Sequence, residues 1–201
     1  MRRCSGHSFL HLKTCYSEYS STTHRLPHLS RCVQPLRFKM AIDWLQGKPE
    51  CSLNYSVASS HYGPMLIAWH QQGLCYLGFT DNLSDIKRRW PKVTLSRASD
   101  LYSDAILKEQ PVNLCLYGTD FEHRVWRALL DITCGSTVNY SDIARVIGQP
   151  TAQRATASAI GRNPISLLVP CHRVLRQSGE LGGYHWGLQV KQQILAREAD
   201  Q

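Results

Sequence analysis

The apolar residues change their period at Gly118, and that change most constrains the fold. Before it, short runs read as strands. Leu53, Tyr55 and Val57 alternate, and the runs Met65–Trp69 and Leu74–Phe79 flank Gln71-Gln72-Gly73, which predicts a hairpin. Leu83–Trp90 reads as a short helix stopped by Pro91. Leu101–Leu107 reads as another, with 101, 105, 106 and 102 facing inward, and Leu114–Tyr117 reads as one more strand. After Gly118 the pattern is helical. Thr119 and Glu122 have capping-box spacing, and Phe121, Val125, Trp126, Leu129 and Leu130 mark one helical face. Strands followed by helices give an α+β chain, with a small α/β unit over 40–117 and a mostly helical unit over 118–201.

Residues 1–39 differ from both units. They carry nine Ser/Thr and seven Lys/Arg against one acid, Glu18, with no clear period. A disordered tail, a transit-type leader and translation beginning at Met40 all fit this composition. Cys4, His7, Cys15 and Cys32 match no metal-binding spacing, and none of the eight cysteines forms a CxxC pair. We expect no metal and no cofactor. The chain lacks a convincing secretory signal, so free thiols in a reducing compartment are expected, the cytoplasm or, in a eukaryote, the nucleus. No apolar run reaches the length of a membrane helix. Residues 121–201 carry nine Lys/Arg against six acids. That excess suits a polyanion partner and equally suits a merely soluble basic protein.

Two short helices follow the first long one. Asn139 is a good N-cap, Gly148 a good residue after the helix end, and Pro150 suits the first turn of a helix running to about Asn163. Together they make a helix-turn-helix candidate. Ala152, Ala155, Ala157, Ser158 and Ala159 leave the second helix thin on more than one face. A thin helix fits close packing inside the protein, or close approach to another surface.

The chemistry sits at Leu167-Leu168-Val169-Pro170-Cys171-His172-Arg173-Val174. A cysteine reacts as its thiolate and needs a base or a positive field nearby. His172 can be that base, directly or through one water, if a third group orients it. An isolated Cys-His pair is more often a buried thiol beside a surface imidazole.

With Asn163-Pro164 before it and Gly183-Tyr184-His185-Trp186-Gly187 after it, this run resembles the O6-alkylguanine-DNA alkyltransferases. It is most similar to the C-terminal half of the bacterial adaptive-response (Ada) protein. The resemblance is strong over 118–198 and continues more weakly to about 52. It implies an RNase H-like N-terminal unit and a winged-helix or helix-turn-helix alkyltransferase unit. It implies irreversible, single-use transfer of an alkyl group, mainly methyl, from O6 of guanine (and O4 of thymine) to Cys171. His172 matches the base and Glu198, in a last helix over 190–199, the carboxylate that orients it. Asn163 matches the residue tying the helix-turn-helix to the active-site turn, and Tyr140 the hydroxyl that donates to guanine N3. The Cys171 and Val174 carbonyls match acceptors for the exocyclic amine, and Tyr184 and His185 lie in the pocket wall. Arg154 matches an arginine that fills the gap left by an everted nucleotide. The thin face around Ala155 then permits approach to the minor groove of double-stranded DNA. Arg162 and Arg173 are candidates for phosphate contacts. The resemblance further implies a monomer with no membrane partner. Trp186 stands where the human member has a small residue, which implies a narrower pocket favouring methyl. The metal site near the human member's N-terminus finds no counterpart motif here. Two other readings remain, a lesion-binding sensor without transfer and a sequence-specific regulator. Cys171 disfavours the first, because such sensors carry another residue there. The lack of an Asn/Gln-rich face disfavours the second.

Overall fold

The computed structural model describes residues 40–200, so the readings of residues 1–39 lie outside the described residues. Strands β1 (Ala41–Gln46), β2 (Ser52–Ser60), β3 (Gly63–His70) and β4 (Gly73–Gly78) come first, then helix α1 (Ser84–Arg89) and strand β5 (Thr94–Arg97). Helix α2 (Ser103–Leu107), strand β6 (Asn113–Gly118) and helix α3 (Asp120–Leu130) follow. The rest is β7 (Val138–Asn139), α4 (Tyr140–Val146), α5 (Gln153–Gly161), β8 (Val174–Leu175) and α6 (Leu188–Ala199).

Six strands form one mixed sheet in the order β1-β6-β4-β3-β2-β5. The predicted hairpin is β3–β4, antiparallel with His70 opposite Gly73. Both strands are buried almost throughout, which explains their continuous apolar runs. β1 and β5 run parallel to β6 and β2 and went unread in the sequence. They are edge strands with mostly exposed or half-buried side chains, so they carry little apolar pattern. Leu101 lies just before α2 and is 69% exposed, against the expectation that it faces inward, whereas Ile106 is buried as expected.

The helical half begins as its caps predict. Thr119 and Glu122 close a capping box on α3, and Asn139 and Asp142 close one on α4. Gly148 has a φ of +73° just past α4, the left-handed residue that ends a helix there. Pro150 does not start the next helix. It lies in the turn, and α5 begins three residues later at Gln153.

One apolar core runs across residue 118 without a break, from Met65 and Ile67 on β3 through Val125 and Leu129 on α3 to Ile160 and Ile194. Backbone bonds stitch the halves together. Leu77 N donates to Pro164 O (3.0 Å) and Ser166 N donates to Leu77 O (2.9 Å), so the chain leaving α5 adds a short bridge to β4. Trp126 is fully buried, and its indole N–H donates to Ala159 O across 2.9 Å, tying α3 to α5. Among the described residues no helix is long and apolar enough to cross a membrane.

That indole bond is a polar link between the buried faces of α3 and α5. Trp126→Phe removes that bond and some buried ring volume, and leaves the Ala159 carbonyl only the 3.2 Å contact from Arg162 N, so a loss of about 1–3 kcal/mol in urea unfolding is expected. A loss below about 0.5 kcal/mol would mean that water or a neighbour satisfies the carbonyl.

Candidate active site

The segment between α5 and the reactive pair is held by one side chain. Asn163, buried just past α5, directs its amide N–H groups at Val169 O (2.8 Å), Ile165 O (3.3 Å) and Cys171 Sγ (3.2 Å). Its Oδ1 accepts from Ile165 N (3.0 Å). Within this turn Leu167 has a φ of +68°, a left-handed conformation that a branched side chain adopts only when its surroundings impose it. The turn delivers Pro170 and then a 3-10 turn over Cys171–Arg173. Cys171 is 9% exposed and His172 is fully buried.

His172 Nε2 donates to Glu198 Oε1 (2.9 Å) on α6. Its Nδ1 is buried with no hydrogen-bond partner among the described residues. With the proton on Nε2, the lone pair sits on Nδ1, so that atom is free to take a proton. Burial pushes the imidazole below its ordinary 6.5, against the raising influence of Glu198, and so favours the neutral base. Burial pushes the Cys171 thiol upward from 9.0, while Asn163 and the positive charge of Lys191 oppose the rise. The resting sulfur is therefore a thiol that needs its base. Burial alone would raise the Glu198 carboxyl, but bonds and charge from His172 and Arg173 outweigh it and hold the group at about 2.

Arg173 also points inward. Its Nε and NH2 donate to Glu198 (2.9 and 2.8 Å) and its NH1 to Ile132 O (2.5 Å). The phosphate contact expected of it is thereby corrected, because its donors are committed inside the protein. Arg162 is half exposed; it donates from Nε to Glu122 (2.5 Å) and from NH1 to Ser158 Oγ.

The sulfur faces a cavity of about 220 Å³. Tyr140, Asn163, Ser166, Tyr184 and His185 line it, and Ala157, Ile160 and Gly161 bring the last turns of α5 to its rim. Tyr140 is the first residue of α4, placed by the Asn139 cap. Gln153, Arg154, Ala155 and Ser158 form an exposed outer face on α5. Two expected pocket residues are not in the lining. Val174 is buried in the core, and its carbonyl accepts from Lys191 Nζ (2.6 Å). Trp186 turns its ring onto Gly78 and Tyr76 and donates to Ser166 Oγ (2.6 Å), so it backs the cavity without entering it. The ring contacts the sheet and takes no space from the pocket.

Lys191 escaped the sequence reading. It is 1% exposed, donates to the Val174 and Leu181 carbonyls, and burial lowers it to about 8. A lysine three residues before Ile194, on the buried face of α6, was the available signal. One cluster that the sequence spacing did not show bears on metals. His70, Cys75 and Cys115 place one ligand atom each within 4.8 Å of one another, although no sequence spacing joins them. Strand pairing assembles the set, and its one imidazole and two thiols are donors that zinc takes. None of the three lines the cavity at Cys171.

The chain is similar to several known proteins. Residues 120–200 match the family model described as "6-O-methylguanine DNA methyltransferase, DNA binding domain". The regulatory protein Ada of Salmonella typhimurium is 38% identical over 168 residues, covering 77% of this chain and 48% of its own length. The chain thus spans about half the length of the Ada relatives it matches. The methylated-DNA–protein-cysteine methyltransferase of Methanosarcina acetivorans is 38% identical over 151 residues, with 72% of this chain and 97% of that protein covered. The Mycobacterium tuberculosis protein OGT, solved in complex with DNA, superposes with a TM-score of 0.63 at 36% identity. The match covers 73% of this chain and 93% of that one.

Glu198 makes stability depend on acid. A carboxyl near 2 in the fold and 4.5 unfolded contributes stability above pH 4.5 and loses it as pH falls toward 2. Glu198→Gln should therefore be less stable than wild type by a constant amount above pH 4.5. The gap should shrink below it, as read by denaturant unfolding at each pH; a gap independent of pH would exclude this role.

Proposed function

The chain belongs to the methylated-DNA–protein-cysteine methyltransferase family, and on that footing we propose that it repairs alkylated DNA by moving a methyl group from O6 of guanine onto Cys171. The observation that carries the reading is a buried thiol that lines a cavity, next in the chain to a buried imidazole whose Nε2 is held by Glu198 and whose Nδ1 has no partner among the described residues. The sulfur attacks the methyl carbon in line, the S–C bond forms and the C–O6 bond breaks. The thiol proton passes to His172 Nδ1, and the guanine anion leaves and ends as guanine on taking a proton. The thioether has no easy route back to thiolate, so each chain acts once.

A cavity lined by Cys171 cannot meet a base that stays stacked in a duplex. The nucleotide must turn out, at a cost of a few kcal/mol. The exposed face of α5 supports that step. Its small residues allow close approach to a minor groove, and Arg154 is long enough to occupy the vacated stack. Tyr140 lies where a hydroxyl could donate to the leaving base. Lys191 adds positive charge near the developing thiolate. In this reading the chain acts as a monomer, its N-terminal sheet is the RNase H-like unit and α3 to α5 the helix-turn-helix unit. O4-methylthymine, with the same alkyl-oxygen linkage, is a second substrate. Lesion sensing without transfer is disfavoured by the thiol itself, since every neighbour described tunes a sulfur.

Incubation with duplex DNA carrying labelled O6-methylguanine should move one label per chain onto Cys171, seen as one added methyl by intact mass. Cys171→Ala should bind such DNA and transfer nothing; transfer by that variant would remove the proposal. The rate should stay flat through neutrality, because His172 remains neutral there. Its acid limb should lie below pH 6.5, the ordinary histidine value, and Glu198→Gln should move it lower by deleting the influence that raises the imidazole. A limb above pH 6.5 would assign the base elsewhere.

A further inference from the structure

The wall of the cavity is a loop without regular structure between β8 and α6. It is bracketed by Gly182 (φ +65°) and Gly187 (φ +90°), two residues in the left-handed region. A segment flanked by such residues has little backbone preference of its own. Side-chain anchors must therefore set where Tyr184 and His185 stand. The anchors come from the first half of the chain. His185 Nε2 lies 3.1 Å from Asp85 Oδ1, one hundred residues away on α1. Trp186 stacks edge-on against His185 (4.4 Å) and against Tyr76 (6.3 Å). Its ring fills the space where a Cβ on Gly78 would stand.

Asp85 is the centre of this arrangement. It is buried on a short helix, where a carboxylate without partners would be costly. Tyr76 OH donates to its Oδ2 (2.9 Å), Arg88 NH2 to its Oδ1 (2.5 Å), and Arg89 Nε lies 3.8 Å from Oδ2. Arg89 in turn donates from NH1 to Arg162 O (2.5 Å), the carbonyl that ends α5. Burial alone would raise the Asp85 carboxyl, but His185, Tyr76 and Arg89 outweigh that and keep it ionised at every ordinary pH. One fixed negative charge thus meets the cavity wall, and its arginine neighbour meets the helix at the cavity rim.

We propose that Asp85 is a positioning residue that sets the width of the alkyl pocket, by pinning His185 and with it the Gly183–His185 wall against the alkyl group. This deepens the proposed alkyl transfer and rests on it. The decisive element is the clamp that keeps the wall closed. Asp85→Asn keeps the shape and an acceptor for Tyr76 but removes the charge that holds the imidazole. The loosened wall should admit larger groups while holding methyl less tightly.

The test measures transfer rates to Cys171 from duplex DNA carrying O6-methylguanine or O6-benzylguanine, for the full chain and for Asp85→Asn, His185→Ala and the double variant. The benzyl-to-methyl rate ratio should rise several-fold in each single variant. The double variant should match the singles, because both changes release the same contact. Thermal unfolding is read in parallel. If Asp85→Asn does not fold, His185→Ala still tests the clamp, since it leaves Asp85 its Tyr76 and arginine partners. An unchanged ratio in a folded variant would overturn the proposal, as would single-variant effects that multiply. Failure of the wild-type protein to transfer either group would instead remove the proposed function, and the two failures are distinguishable.

Discussion

The burial of the Cys171 sulfur is the constraint around which the structure is built. Burial opposes ionisation, so the reactive form must be supported from several directions at once. Asn163 supplies a hydrogen bond, Lys191 supplies positive charge, and His172 supplies a place for the proton. Each supporter is itself buried and requires its own partner. Glu198 orients His172 and is in turn held by Arg173, while Lys191 is held by two backbone carbonyls. A change at any of these groups reaches the sulfur, although only some of them touch it.

Asn163 joins that network to the face of α5 proposed to meet DNA. It follows α5 directly and bonds both the sulfur and the turn that carries it. The exposed face of α5 and the acceptor thiol are thus separated by one ordered side chain and a strained turn at Leu167. Trp126 fixes the other side of α5 to the core through Ala159. A helix held at its middle and its end can present a surface without shifting when something presses on it. That rigidity matters if the nucleotide is to arrive at the sulfur within bonding distance.

What was legible in the sequence was local. The caps at Thr119 and Asn139 and the turn at Gly148 depend on residues within a few positions, and they stand where their spacing put them. The His172–Glu198 pairing was legible only through resemblance, because 26 positions separate the partners. Asp85, a charged residue on a short helix, was invisible because its partner His185 lies a hundred residues away, and Lys191 offered only its spacing to Ile194 as a sign of burial. Arg173 shows the converse error. Exposure was assumed for an arginine that an ion pair had drawn inward. The His70, Cys75 and Cys115 set needed the strand order, which periodicity does not give.

A thiol kept protonated at rest has a further consequence if, as proposed, the protein reacts only once. An exposed thiolate would be consumed by any passing electrophile or oxidant, because reactivity follows thiolate character and access. Here the sulfur is buried, its thiol is pushed upward, and it lines a cavity whose His185 is bonded to Asp85 in the far half of the chain. In the proposed reaction, nucleophilicity is withheld until a group that fits that cavity presents carbon to the sulfur. For a catalyst with many turnovers such restraint would cost rate on every cycle. For a single-use acceptor the cost falls once, and it protects the one sulfur that lines the cavity among the described residues. The same burial that makes the thiol a poor nucleophile thereby restricts it to one kind of encounter.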